Sequence, residues 1–116
     1  MAYNVERAVE TDRDLEAIFD FLMQSYLEFG DSRAEAFSRA AKRVESIERA
    51  AERLGATPHQ GTLREHLLPR LRCVTKRRAV FYFDVDDEQR LVRVLAIFFG
   101  SQDHQRAMLI RLMGGD

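Results

Sequence analysis

The chain has 116 residues, 18 basic and 19 acidic side chains and a formal net charge of −1, a length that suits one compact domain spanning residues 1–116. With 46% apolar and 32% charged residues, two prolines and six glycines, it is neither a disordered chain nor a collagen-like one. One cysteine (Cys73), no apolar signal-peptide core and no apolar run longer than residues 94–99 exclude a disulfide framework and a spanning helix, so the expected location is the cytoplasm, away from membranes.

Residues 3–8 alternate loosely and read as a first strand. Thr11, with Asp14 three residues on, has capping-box spacing and predicts a helix start. Leu15, Ile18, Phe19, Leu22, Tyr26 and Phe29 then recur at spacings of three and four, the stripe of an amphipathic helix ended by Gly30. Ser32 and Glu35 repeat the capping-box pattern. Phe37, Ala40, Val44, Ile47, Ala51 and Leu54 carry the stripe of a second helix, with Gly55 at the position of a left-handed C-cap. So short a link makes the two helices an antiparallel hairpin. Residues 56–70, with Pro58, Gly61 and Pro69, read as loop. Strands over 71–76, 78–85 and 91–99 follow, the last two joined across the polar residues 86–89. Gly100 breaks the last strand, and Ser101 is placed to cap a final helix through Leu112. The order predicts an α+β domain: a small antiparallel sheet of about four strands (strand–helix–helix–strand–strand–strand) packed on an N-terminal helical hairpin, with a short C-terminal helix.

Little of this carries chemistry. His59, His66, His104 and Cys73 match no metal-ligand spacing, so no metal site is expected. No nucleophile elbow and no Gly-rich phosphate loop is present, so no nucleotide or other cofactor is expected either. What stands out is arginine, sixteen of the eighteen cations. Arg64, Arg70, Arg72, Lys76, Arg77 and Arg78 crowd one stretch against Glu65 alone. Guanidinium groups favour bidentate contact with carboxylate or phosphate. A solvated sheet face with ion pairs to the acidic first half explains the same pattern. Were Arg72, Arg77, Arg78 and Arg93 to gather on one face with His104 and Arg106, they would suit a phosphodiester with His104 as acid or base, but strand register decides that. Apolar side chains also exceed what so small a core needs: Phe21, Met23 and Leu27 on the first helix, both faces of the last strand, and Met108, Leu109, Ile110, Leu112 and Met113 at the end. Either the core is larger than pictured or a partner covers the surplus.

The sequence resembles the RelE/ParE toxin superfamily of type II toxin–antitoxin systems along nearly its whole length. The resemblance runs from Tyr3-Asn-Val and Asp14-Leu15 with Ile18, through Pro58-His-Gln-Gly61 and Leu71-Arg72, to Arg78-Ala-Val-Phe-Tyr82, residues 94–100 and Gln102-Asp103-His104. It implies a cognate antitoxin whose C-terminal segment wraps the toxin, here a ParD-like partner in a hetero-oligomer. Phe21, Leu27, Phe98, Phe99, Met108 and Leu109 are the expected antitoxin contacts. The long hairpin, the Pro-x-x-Gly loop and the Leu-Arg lead are similar to the ParE branch, which implies inhibition of DNA gyrase by protein–protein binding and not an enzyme in its own right. Arg64, Arg72, Arg78, His104 and Arg106 are the expected target contacts. The alternative is a RelE-like, ribosome-dependent mRNA endonuclease using Arg72, Arg78 and His104. For that branch a second arginine falls on Gln102 and a late tyrosine near Met108, neither of which supplies the chemistry. Direct nucleic-acid binding is not expected, since such systems place it on the antitoxin.

Overall fold

Two apolar stripes that face the same way make the N-terminal half a helical hairpin. In the computed structural model, which describes residues 2–100 and 103–114, strand β1 (Asn4–Arg7) leads into helix α1 (Glu10–Glu28) and helix α2 (Arg33–Glu52), closed by a 3-10 turn over Arg53–Gly55. Strands β2 (Thr62–Leu63), β3 (Arg72–Lys76), β4 (Ala79–Asp86) and β5 (Leu91–Phe99) follow, then helix α3 (His104–Leu112). All five strands form one sheet in the order β1-β5-β4-β3-β2. The α+β architecture, the hairpin and the terminal helix are as expected. The structure adds the two-residue β2 inside the expected loop, and β1 pairs parallel with β5, so the sheet is mixed. Parallel pairing needs a long return connection, and the whole chain between β1 and β5, helices included, supplies one.

The two helix starts differ. Glu35 N–H donates to Ser32 Oγ at 3.1 Å and Ser32 N–H donates to Glu35 Oε1 at 2.9 Å, the expected capping box. α1 has no such box. Its N-cap is Val9, without a side-chain cap, and Thr11 lies buried inside the first turn with its hydroxyl donating to the Ala8 carbonyl at 2.7 Å. Phe29 is 87% exposed and leaves the stripe. Gly55 does not take a left-handed φ. A Cβ there would run into the carbonyl oxygen of Tyr3, and Tyr3 N–H donates to the Gly55 carbonyl at 2.8 Å. Glycine serves close approach to the chain entering β1 and not a C-cap. The expected Ser101 cap lies outside the described residues; α3 is capped by Asp103, whose carboxylate accepts from Arg106 N–H at 3.2 Å.

Both faces of the sheet are covered. Leu15, Ile18 and Leu22 of α1 with Ala40, Ile47 and Ala51 of α2 pack on Phe81, Phe83, Val92, Val94 and Ile97. On the other face, Met108 of α3 and Leu71 pack on Cys73, Val80, Tyr82, Ala96 and Phe98. β5 changes face midway. Phe83 pairs with Val94 while Tyr82 pairs with Ala96, which leaves Leu95 as an extra residue in a bulge. Even-numbered Val92 and Val94 face the hairpin before the bulge, and odd-numbered Ile97 does after it.

β1 ends at Arg7, opposite Val94, while β5 runs on to Phe99. Beyond β1, side chains serve the edge of β5. Asp14 Oδ2 accepts from Ile97 N–H at 2.9 Å, and Arg111 Nη1 donates to the Leu95 carbonyl at 3.3 Å. The same two residues join each other in a fork, Nη1 to Oδ2 at 2.8 Å and Nη2 to Oδ1 at 2.6 Å. Asp14 is 8% exposed. One part-buried ion pair, its carboxylate buried and its guanidinium half-buried, thus ties α1, β5 and α3 together. Asp14→Ala should cost about 3 kcal/mol, since it removes the carboxylate that both the Arg111 guanidinium and the Ile97 N–H donate to. Asp14→Leu with Arg111→Met should cost less than the two single changes summed; denaturant melts of the wild type, Asp14→Ala, the two single variants and the double variant measure both, and strict additivity would contradict the coupling.

Candidate functional site

The sequence-predicted site residues do not form one cluster. Arg72 lies at the loop end of β3, and its Nη1 donates to the His59 carbonyl at 2.8 Å. Opposite Phe83 in register, it shares the hairpin-facing side of the sheet with Val74. Arg78 sits with Arg77 in the β3–β4 turn, its guanidinium 5.9 Å from the centre of the Phe99 ring. Arg93 crosses to Asp84 at 3.2 Å on the opposite face. His104 is on that opposite face too, its Nδ1 2.8 Å from the Tyr82 hydroxyl. Arg106 is exposed on α3. Arg64 is half-buried near Tyr82, and its Nε is buried without a hydrogen-bond partner among the described residues. Arg72, Arg78 and His104 are therefore spread over two faces and a turn.

Burial, then the Cys73 thiol, pushes the Tyr82 phenol up to about 12. The phenol keeps its proton and can donate it to Nδ1 of His104, which anchors the start of α3. Tyr82 itself is fully buried.

The apolar residues expected to meet a partner divide similarly. Phe98, at 7% exposure, and Met108, at 0%, belong to the second core, a correction to their placement on a free surface. The bulge at Leu95 turns Phe98 inward, and α3 lies on the sheet by its Met108 side. Phe21 is 56% exposed, Leu27 36% and Leu109 45%, with Phe99 half-buried. Phe21 and Phe99 meet edge to face at 6.1 Å and flank a cleft of about 400 Å³ between α1 and the end of β5. Ala17, Ile18, Ile97 and Phe98 line it, with the Asp14–Arg111 pair alongside. Arg43 and Arg78 approach the Phe99 ring at 5.5 and 5.9 Å, so the apolar cleft has cations at its end. The sequence showed the surplus of apolar side chains but not which of them stay outside.

A polar cluster missed in the sequence lies where β1, the 56–61 loop and the β4–β5 turn meet. Asp87 Oδ1 accepts from the Tyr3 hydroxyl at 2.8 Å and lies 2.7 Å from His59 Nε2. Its three residues are too far apart in the chain for any local pattern to join them. Among the described residues no group of three His, Cys, Asp or Glu side chains is arranged to hold a metal.

Three solved structures share this fold. The toxin–antitoxin complex RelBE2 of Mycobacterium tuberculosis superposes with a TM-score of 0.58 at 15% identity, covering 86% of this chain and 100% of that one. The chromosomal ParDE toxin–antitoxin system of P. aeruginosa gives 0.61 at 21% identity, covering 84% and 96%. An arginine-to-alanine mutant of the E. coli toxin RelE in the free state gives 0.58 at 13% identity, covering 96% and 97%. The likeness is one of fold, shared with these toxin–antitoxin and toxin structures. No protein-family model matches the sequence, and no curated protein matches it.

The Tyr3 hydroxyl, then His59, holds the Asp87 carboxyl below its ordinary value of 3.8. A depressed folded-state value makes the contribution present above the ordinary value and lost as pH falls through the folded one. Asp87→Asn should therefore melt below the wild type at pH 7, with the gap closing as pH drops below about 4. Thermal melts at the two pH values check this; a gap that persists in acid would show that the charge is not what matters.

Proposed function

We propose that this chain is the toxin of a toxin–antitoxin pair, acting in the manner of ParE on DNA gyrase by protein–protein contact, with a ParD-like antitoxin as its partner. The carrying observation is the open apolar cleft at Phe21 and Phe99, on a fold whose solved examples include the RelBE2 complex and the ParDE system. A groove lined by Ala17, Ile18, Ile97 and Phe98 suits an amphipathic or extended segment that orders as it binds. Arg78 stands at the end of that cleft beside Phe99. An antitoxin seated there covers both the apolar surface and a cation expected to meet the target, so binding and neutralisation become one event. It also stabilises the fold by mass action.

The nuclease alternative needs cations and an acid or base on one surface. Its best support is His104, oriented by Tyr82 near Arg64. Against it, Arg72 lies on the other face of the sheet and Arg78 in a turn. Gyrase is therefore the preferred target.

Pulse-labelling after tight induction in a bacterium separates the two. Thymidine incorporation should fall first, with amino-acid incorporation persisting, and Arg78→Glu should reduce toxicity while the variant still folds. Early loss of amino-acid incorporation would move the assignment to mRNA cleavage.

A further inference from the structure

A second cleft lies apart from the one assigned above and shares no lining residue with it. It opens between the C-terminal half of α2 and the β3–β4 turn, holds about 200 Å³, and is lined by Ser46, Arg49, Ala50, Arg53, Lys76 and Arg77. Four cations, a hydroxyl and one methyl face it, with no acidic side chain. Glu45 holds Arg49 from outside the cleft at 2.5 Å. Among the described residues the side chains of Arg53, Lys76 and Arg77 make no ion pair and no hydrogen bond. The negative end of the α2 dipole accounts for Arg49 and Arg53. It does not account for Lys76 and Arg77.

The turn that presents Arg77 is costly. Arg77 and Arg78 are the two residues between β3 and β4, and both have positive φ, +56° and +65°. A two-residue hairpin of that kind prefers Asn-Gly. A left-handed side-chain-bearing residue costs about 1–2 kcal/mol, and such strain concentrates where a side chain is used. Arg43 Nη2 donates to the Arg77 carbonyl at 3.1 Å and fixes the turn against α2. The backbone of the turn is thus fixed against α2, which sets where Arg77 leaves the chain, while the side chains of Arg49, Arg53 and Arg77 stay exposed and open to a ligand.

We infer that this cleft grips the phosphodiester backbone of a nucleic acid without reading its sequence. Guanidinium forks suit phosphate oxygens. The lining offers no apolar pocket for the side chains of an acidic peptide, and no aromatic ring on which a base would stack. Contacts made to phosphate alone position a strand but carry no sequence preference. This departs from the expectation that the chain leaves nucleic acid to its antitoxin, and it does not rest on gyrase being the target.

Fluorescence anisotropy of the full chain with a labelled random-sequence DNA duplex, a single-stranded RNA of equal length and a polyglutamate peptide tests it. Arg53→Gln with Arg77→Asn should weaken binding to nucleic acid about tenfold or more and lower the salt slope by roughly 2. Which nucleic acid binds more tightly identifies the source of the phosphates. Arg77→Asn alone should leave the melting temperature unchanged or raised, because Asn tolerates the left-handed turn, yet still weaken binding. Absence of nucleic-acid binding, binding indifferent to both substitutions, or polyglutamate bound as tightly as DNA and RNA would each overturn the assignment.

Discussion

The architecture turns on one ion pair, between the buried Asp14 and the half-buried Arg111. β1 is too short to cover β5, and the uncovered edge beyond Val94 would leave strand N–H and C=O groups without partners beneath α1. Asp14 and Arg111, 97 residues apart, take the place of the missing strand: a carboxylate accepts where a carbonyl would, and a guanidinium donates where an amide would. Because the two also neutralise each other, neither charge is buried alone. The geometry fixes α1, the end of β5 and α3 as one unit, and the apolar cleft is built on that unit, with both residues in its lining.

From this constraint follows a division of the surface. α3 is held against the second face of the sheet, so Phe98 and Met108 are core, and the aromatic side chains left outside at the cleft are Phe21 and Phe99. Arginine is concentrated instead at the turn and along α2. All four described non-glycine residues with positive φ are arginines: Arg70, Arg77, Arg78 and Arg90. Stability is given up at these positions for side chains that glycine or asparagine would not supply. That trade is intelligible if charge, and not the turn itself, is what these positions are for.

Local pattern was enough for much of the fold. Ser32 and Glu35 cap α2 because both halves of the box lie within one turn, and the apolar stripes of both helices meet the sheet as their spacing implies, except for the exposed Phe29 and Phe37. What local pattern missed was set by distant partners. Thr11 and Asp14 have the spacing of a capping box, but Ile97 N–H and Arg111 claim the carboxylate. Gly55 looked like a C-cap and is instead the point where the backbone of Tyr3 passes. In the candidate site, the unbroken apolar run of β5 hides the bulge at Leu95, so the faces of Phe98 and Phe99 were not legible. Nor was the side on which Arg72 falls, since register between strands depends on the whole sheet.

The fold carries one apolar cleft and one cationic cleft, with Arg72, Arg78 and His104 spread over two faces of the sheet and a turn. The most direct test is supercoiling by purified DNA gyrase in the presence of the purified chain. Loss of supercoiling that titrates with the chain, and is relieved by its antitoxin, is the result predicted. Undiminished supercoiling, together with cleavage of mRNA on ribosomes by the same preparation, would contradict it.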